Sequence, residues 1–167
     1  MAIPNIKKTF TVSIENKLLI DGPLGKLARW MRIMGYYCHY DPDLTSSLII
    51  TLAKEKKLFL FTKSLNTAKQ AKLNEVAHIL VNGKIIQEQL ISLVTQNVQI
   101  DIPEIHNARC SICNGNLKII IDKTVEIIPK KSLEHYDQFF KCLNCNQIYW
   151  EGSHWKKIRN TIRIVLI

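Results

Sequence analysis

The stretch 58-LFLFTKSLN-66 decides how the rest of the chain is read. Its apolar run, Leu58 to Phe61, is the length of a buried strand and too short for a helix. The run ends in Thr62, Lys63 and Ser64, and a short Lys-rich helix begins at about Ser64. A strand whose carboxyl end turns into a helix is the repeating step of an α/β sheet, and such edges are where these folds keep their chemistry. Yet none of the three polar residues is an acid or an obvious nucleophile.

The same grammar extends in both directions. From Lys17 to about Asn97, the runs 18-LLID-21, 36-YYCHY-40, 58-LFLFT-62 and 77-AHILV-81 alternate with helix-period segments, which predicts a parallel sheet with helices on its faces. The first helix is read in 22-GPLGKLARWMRIMG-35, where Pro23 suits a first helical position and Gly35 a C-terminal cap. Leu24, Leu27, Ala28, Met31 and Met34 fall on one face, while Lys26, Arg29 and Arg32 step by three along another. A second helix is expected over Thr45 to Lys57 with Leu48, Ile49, Leu52 and Ala53 inward, and a fourth over Ile85 to Thr95 around Leu90, Leu93 and Val94. The segment 9-TFTVSI-14 suits either an extra strand or an arm.

Pro103 and Asn107 then break the periodicity just before a cysteine pair. The boundary is placed near Ile100, giving a domain over 1–100 with its core at 17–97, and a second unit over 101–167.

That second unit carries Cys110-x-x-Cys113 and Cys142-x-x-Cys145, 28 residues apart. Two such knuckles present four thiolates that close a tetrahedron around Zn²⁺ and leave no position for a catalytic water, so the metal is read as structural. Disulfides do not suit a reducing cytosol, and a redox Cys-x-x-Cys does not explain two pairs. The runs LKIII and TVEII around Asp122-Lys123 read as a hairpin, and QFFKC and QIYW frame the second knuckle; together these describe a zinc ribbon. Cys38 reads as a small buried hydrophobe. His39, His78, His106 and His135 stand singly and are assigned no role.

The chain carries 23 Lys and Arg against 14 acids, a formal charge of +9, of which +6 lies in residues 1–100 and +3 beyond. This balance points to a polyanion such as RNA or DNA, with an inert basic surface as the plainer reading. No run approaches the roughly 20 apolar residues of a membrane helix, and MAIPNIKKTF lacks the apolar core of a secretory signal, so a cytoplasmic protein is expected.

With these features assembled, the chain resembles the C-terminal ribonuclease domain family named after the Mut-seven exonuclease. The resemblance runs from about Leu19 to about Ile158 and is carried by 21-DGPLGKLARWMRIMGY-36, the paired knuckles and 149-YWEGSHW-155. It implies a PIN-like fold followed by a zinc ribbon, and an RNA-cleaving site in which clustered carboxylates hold Mg²⁺ or Mn²⁺. Asp21 matches the first acid of that site. The second is expected near Thr45-Ser46-Ser47 and the third at Ser64, so two expected carboxylates are hydroxyls here, at Ser46 and Ser64, with Ser47 as the neighbouring alternative. Asp41 and Asp43 are either substitutes, if their loop folds toward Asp21, or ordinary turn acids, with Asp43 or Thr45 capping the second helix.

Lys26, Arg29, Arg32 and Lys63 are the expected RNA-contact residues. His154 either joins them or is structural; Ser153 is the expected cap of the final helix, with Trp150 and Trp155 packing the ribbon onto the first unit. Three functions stay open: a ribonuclease with a degenerate or rearranged acid set, an RNA-binding module without catalysis, and a zinc-ribbon subunit of a larger RNA–protein complex whose protein partners the sequence does not identify.

Overall fold

A computed structural model describes residues 11–125 and 127–167, so most of the expected segment 9–14 is described and its first two residues lie outside. Four short parallel strands, β1 (Leu18–Ile20), β2 (Cys38–Tyr40), β3 (Phe59–Thr62) and β4 (His78–Leu80), form one sheet in the order β2-β1-β3-β4. Between and after them run α1 (Gly25–Ile33), α2 (Ser46–Glu55), α3 (Leu65–Leu73) and α4 (Ile86–Val94).

Side chains alternate across a strand, and that alternation splits the core in two. Leu18, Ile20, Phe59 and Phe61 face a large cluster with Leu27, Met31, Leu90 and Leu93 from α1 and α4. Leu19 and Leu60 face the other way, against Ile49, Ile50 and Ala53 of α2 and Ala71 of α3. The expected helices on both faces are therefore present. Leu48, expected inward, is instead exposed, and Ile50 takes the buried position on α2. Val12 is fully buried and bridges Val98 in parallel, so part of the unassigned 9–14 segment is tied to the chain after α4.

The second unit holds an antiparallel sheet of β5 (Leu117–Ile119), β6 (Phe140–Cys142) and β7 (Ile148–Tyr149), with a single helical turn, α5 (Lys130–Leu133), before β6. Among the described residues the expected local hairpin at Asp122-Lys123 is not formed, and one residue of its second run, Glu126, lies outside them. Residues 123–125 make a 3-10 turn, and β5 pairs with the distant β6, Leu117 opposite Cys142. The last helix, α6 (Ser153–Val165), sends Trp155, Ile158, Ile162 and Val165 into the large cluster of the first sheet. It closes that core although it follows the ribbon in sequence. Ser153 is not its cap: the cap position is Gly152, and no side chain bonds the first turn there. Among the described residues no helix is long and apolar enough to cross a membrane.

Candidate functional site

The carboxyl edge of the sheet is organised by Asp21, which follows β1 and is buried. Its Oδ1 accepts from the Gly22 N–H at 2.8 Å, capping the turn Gly22–Leu24, and its Oδ2 accepts from the Thr62 hydroxyl at 2.5 Å. The Thr62 oxygen accepts from the Ser64 N–H at 3.0 Å, and Ser64 Oγ accepts from the Thr67 N–H at 3.1 Å, capping α3. Thr67 Oγ1 lies 3.0 Å from Ser46 Oγ at the start of α2. One hydrogen-bonded chain thus connects Asp21 through Thr62, Ser64 and Thr67 to Ser46, and the starts of α2 and α3 meet at it. Thr67 is the member that sequence reasoning missed; the Ser64-x-x-Thr67 spacing, that of a helix cap and its third residue, was the available signal.

Asp41 and Asp43 form an ordinary turn in which Asp41 Oδ1 accepts from the Asp43 N–H at 3.0 Å, and Thr45 is the cap of α2. The turn passes close to the site: Pro42 O would lie 3.1 Å from a Cβ on Gly22, and the Tyr40 hydroxyl donates to Gly22 O at 2.9 Å. Even so, Asp21, Asp41 and Asp43 do not converge; among the described residues, the four cysteines are the only group of three or more potential ligands brought together. A hard divalent ion needs several oxygen ligands with formal charge among them. Asp21, bonded to the Gly22 N–H and the Thr62 hydroxyl and with no second acid grouped beside it among the described residues, lacks the charged oxygen partners that Mg²⁺ or Mn²⁺ needs.

Of the expected RNA-contact residues, Lys26 and Arg29 are exposed on α1. Lys63 is also exposed, with Nζ donating to Gly83 O at 2.8 Å. Arg32 is a correction. A step of three loses about 60° per turn on a helix, so by the third member the stripe has rotated inward, and Arg32 is buried. Its guanidinium donates to Cys38 O from Nε and Nη2 at 3.1 and 2.9 Å, and from Nη1 to Ser111 O and Ile112 O at 3.1 and 2.9 Å. His154 is exposed at the first turn of α6, away from the Asp21 edge, since α1 runs back along the sheet and its last residue, Ile33, lines a cavity with His154.

The cysteine group is compact. Ligand atoms of Cys110, Cys113, Cys142 and Cys145 all lie within 4.8 Å of one another, with Cys110 Sγ to Cys145 Sγ 3.5 Å and Cys113 Sγ to Cys142 Sγ 3.4 Å. Each knuckle is followed by an asparagine in the left-handed region, Asn114 at φ 67° and Asn146 at φ 61°, a conformation asparagine tolerates better than most residues. A Cβ on Gly115 would meet Cys142 Sγ at 2.8 Å, so only glycine leaves the second knuckle its place. Burial opposes ionisation of Cys110, but hydrogen bonds from the Tyr149 hydroxyl and from backbone N–H groups outweigh it and bring this thiol to about 7. Burial first, and neighbouring thiols after it, push Cys145 up to about 12. The Cys110 thiolate forms readily while the Cys113 and Cys145 thiols, which burial pushes up, resist, as in a group of thiols that needs a cation to hold it ionised. The buried Cys38, by contrast, is a neutral thiol that burial pushes well up.

The model of the Mut7-C RNAse domain family matches residues 16–162, nearly the whole chain. No curated protein and no solved structure matches it.

Proposed function

We propose that this chain, which belongs to the Mut7-C RNAse domain family, acts by binding RNA on a basic face beside an acid-poor edge, with a structural Zn²⁺ in its four-cysteine ribbon. Family membership itself gives a ribonuclease-like or RNA-related role. The observation that carries the choice of binding over cleavage is the company Asp21 keeps: the chain along the edge runs through Thr62, Ser64, Thr67 and Ser46, all hydroxyl residues, with Ser46 and Ser64 standing where the resemblance leads one to expect carboxylates. Hydroxyls donate well to phosphate oxygens and supply no charge to a cation. Zn²⁺ is favoured for the tetrad by four soft ligands whose donor atoms lie within 4.8 Å of one another, a set that zinc binds tetrahedrally, and four thiols suit a reducing, cytoplasmic setting. The buried cation of Arg32, bonded to the carbonyls of the first knuckle, complements the charge of −2 that four thiolates and one Zn²⁺ carry.

Single-stranded RNA should therefore bind with strong salt dependence. Lys26→Gln with Arg29→Gln should weaken binding about tenfold and flatten the log–log salt slope by about 1.4, the share of two phosphates neutralised on a single strand. Unchanged affinity in this double variant overturns the assigned face. Wild-type protein free of contaminating nuclease should show no Mn²⁺-dependent cleavage; efficient cleavage abolished by Asp21→Asn overturns the acid-poor reading.

Restoring acids offers a converse measurement. Aspartate caps a helix as well as serine and is favoured in a first turn, so Ser46→Asp with Ser64→Asp should fold. The pair should raise Mn²⁺ affinity on the order of tenfold, dependent on Asp21. A folded double variant that titrates like wild type rejects the proposed convergence on Asp21.

A further inference from the structure

An apolar recess at the ribbon seam lies between the first turn of α6, β7 and the end of α1. It has a volume of about 250 Å³; Ile33, Leu117 and Ile158 contribute apolar lining, Tyr149, Trp150 and Trp155 aromatic lining. That is below the roughly 300–1,000 Å³ of drug-sized sites and suits a single planar ring system. Trp155 is buried, and its Nε1 is the one buried side-chain nitrogen or oxygen without a hydrogen-bond partner among the described residues.

A basic track leads to this recess. On α1, Lys26 and Ile33 are seven residues apart and Arg29 and Ile33 four apart, so the three share one stripe of the helix. Lys26 stands at the turn nearest Asp21 and Ile33 lines the cavity. Lys156 and Lys157 are exposed one turn into α6, beside the exposed His154 on the rim.

We propose that the cavity takes one unpaired nucleobase of an RNA strand whose phosphates run along Lys26 and Arg29; this rests on the RNA-binding reading above and adds the feature that selects single strands. A base offers flat faces to the aromatic lining of Tyr149, Trp150 and Trp155, whereas an aliphatic occupant makes no stack there and a phosphate does not suit apolar lining. A base held in a duplex cannot enter.

The test compares a short oligouridylate with an RNA duplex of equal length. A purely electrostatic face favours the duplex, whose charge density is higher. Wild type is expected to bind the single strand at least about fivefold more tightly, and Trp150→Leu, which removes a half-buried ring from the lining, to lose about fivefold in single-strand affinity alone. Thermal melting establishes that the variant is folded; should it not be, the wild-type preference decides by itself. RNA binding with no single-strand preference overturns the base site and leaves the RNA-binding reading standing. Absence of binding to either RNA overturns both.

Discussion

Arg32→Met is expected to cost about 3–5 kcal/mol of stability, read as a lower denaturant midpoint. The guanidinium is buried and makes four hydrogen bonds to three backbone carbonyls, on Cys38 of β2 and on Ser111 and Ile112 of the first knuckle. Methionine matches its length and leaves those oxygens without their donor, at about 1–3 kcal/mol for each that stays buried and unpaired. Arg32→Lys should recover less than half of the loss, because one ammonium cannot span carbonyls on both sides of the planar fork. The exposed Lys26→Gln should change stability by no more than about 0.5 kcal/mol. Stability unchanged in Arg32→Met, with RNA affinity reduced, would return Arg32 to the binding face where its spacing first placed it.

The spacing misled because a three-residue step is read as a stripe only over short distances, and burial at its third member depends on a knuckle 79 residues further on. Features set by local patterns were legible. Leu18, Leu19 and Ile20 are all buried, as are Phe59, Leu60 and Phe61, because parallel strands covered on both faces are written as unbroken apolar runs. The knuckles were legible because metal ligation fixes residue type and spacing together. Features that depend on which distant segments meet were not. Asp122-Lys123 offered a turn, yet β5 chose β6, since Cys142 must reach Cys113 and its strand then lies against Leu117. The expected final helix, with Trp155 packing onto the first unit, did not say that Ile158, Ile162 and Val165 would follow Trp155 into the core begun by Leu27 and Leu90. At the edge, Asp21, Ser46 and Ser64 were found through a resemblance, whereas Thr67, which joins Ser64 to Ser46, carries no type that reads as chemistry on its own.

Loss of the metal should have the largest effect, and its reach tests how the two sheets are joined. Purified protein should contain one zinc per chain, and Cys142→Ser, or chelation, should unfold the ribbon: its strands are two or three residues long, too short to hold together alone, while structural zinc contributes about 10–16 kcal/mol in small domains. The disturbance should then enter the first unit by a defined route. Asn114 Oδ1 accepts from the Cys38 N–H at 3.1 Å, the Arg109 N–H donates to Arg32 O at 2.8 Å, and Arg32 holds the knuckle carbonyls; all three lapse when the knuckle opens. Cys38 is on the edge strand, so its amide should lose hydrogen-exchange protection. The Leu60 amide, bonded to Ala77 O at 2.9 Å in the middle of the sheet, should keep most of its own. Equal protection of both amides after metal removal would mean the ribbon hangs on the core without bracing it, and loss at both would make the chain a single cooperative unit with the metal as its keystone. Protein purified without chelators that contains no zinc would defeat the zinc reading of the four thiols, whose ligand atoms lie within 4.8 Å of one another.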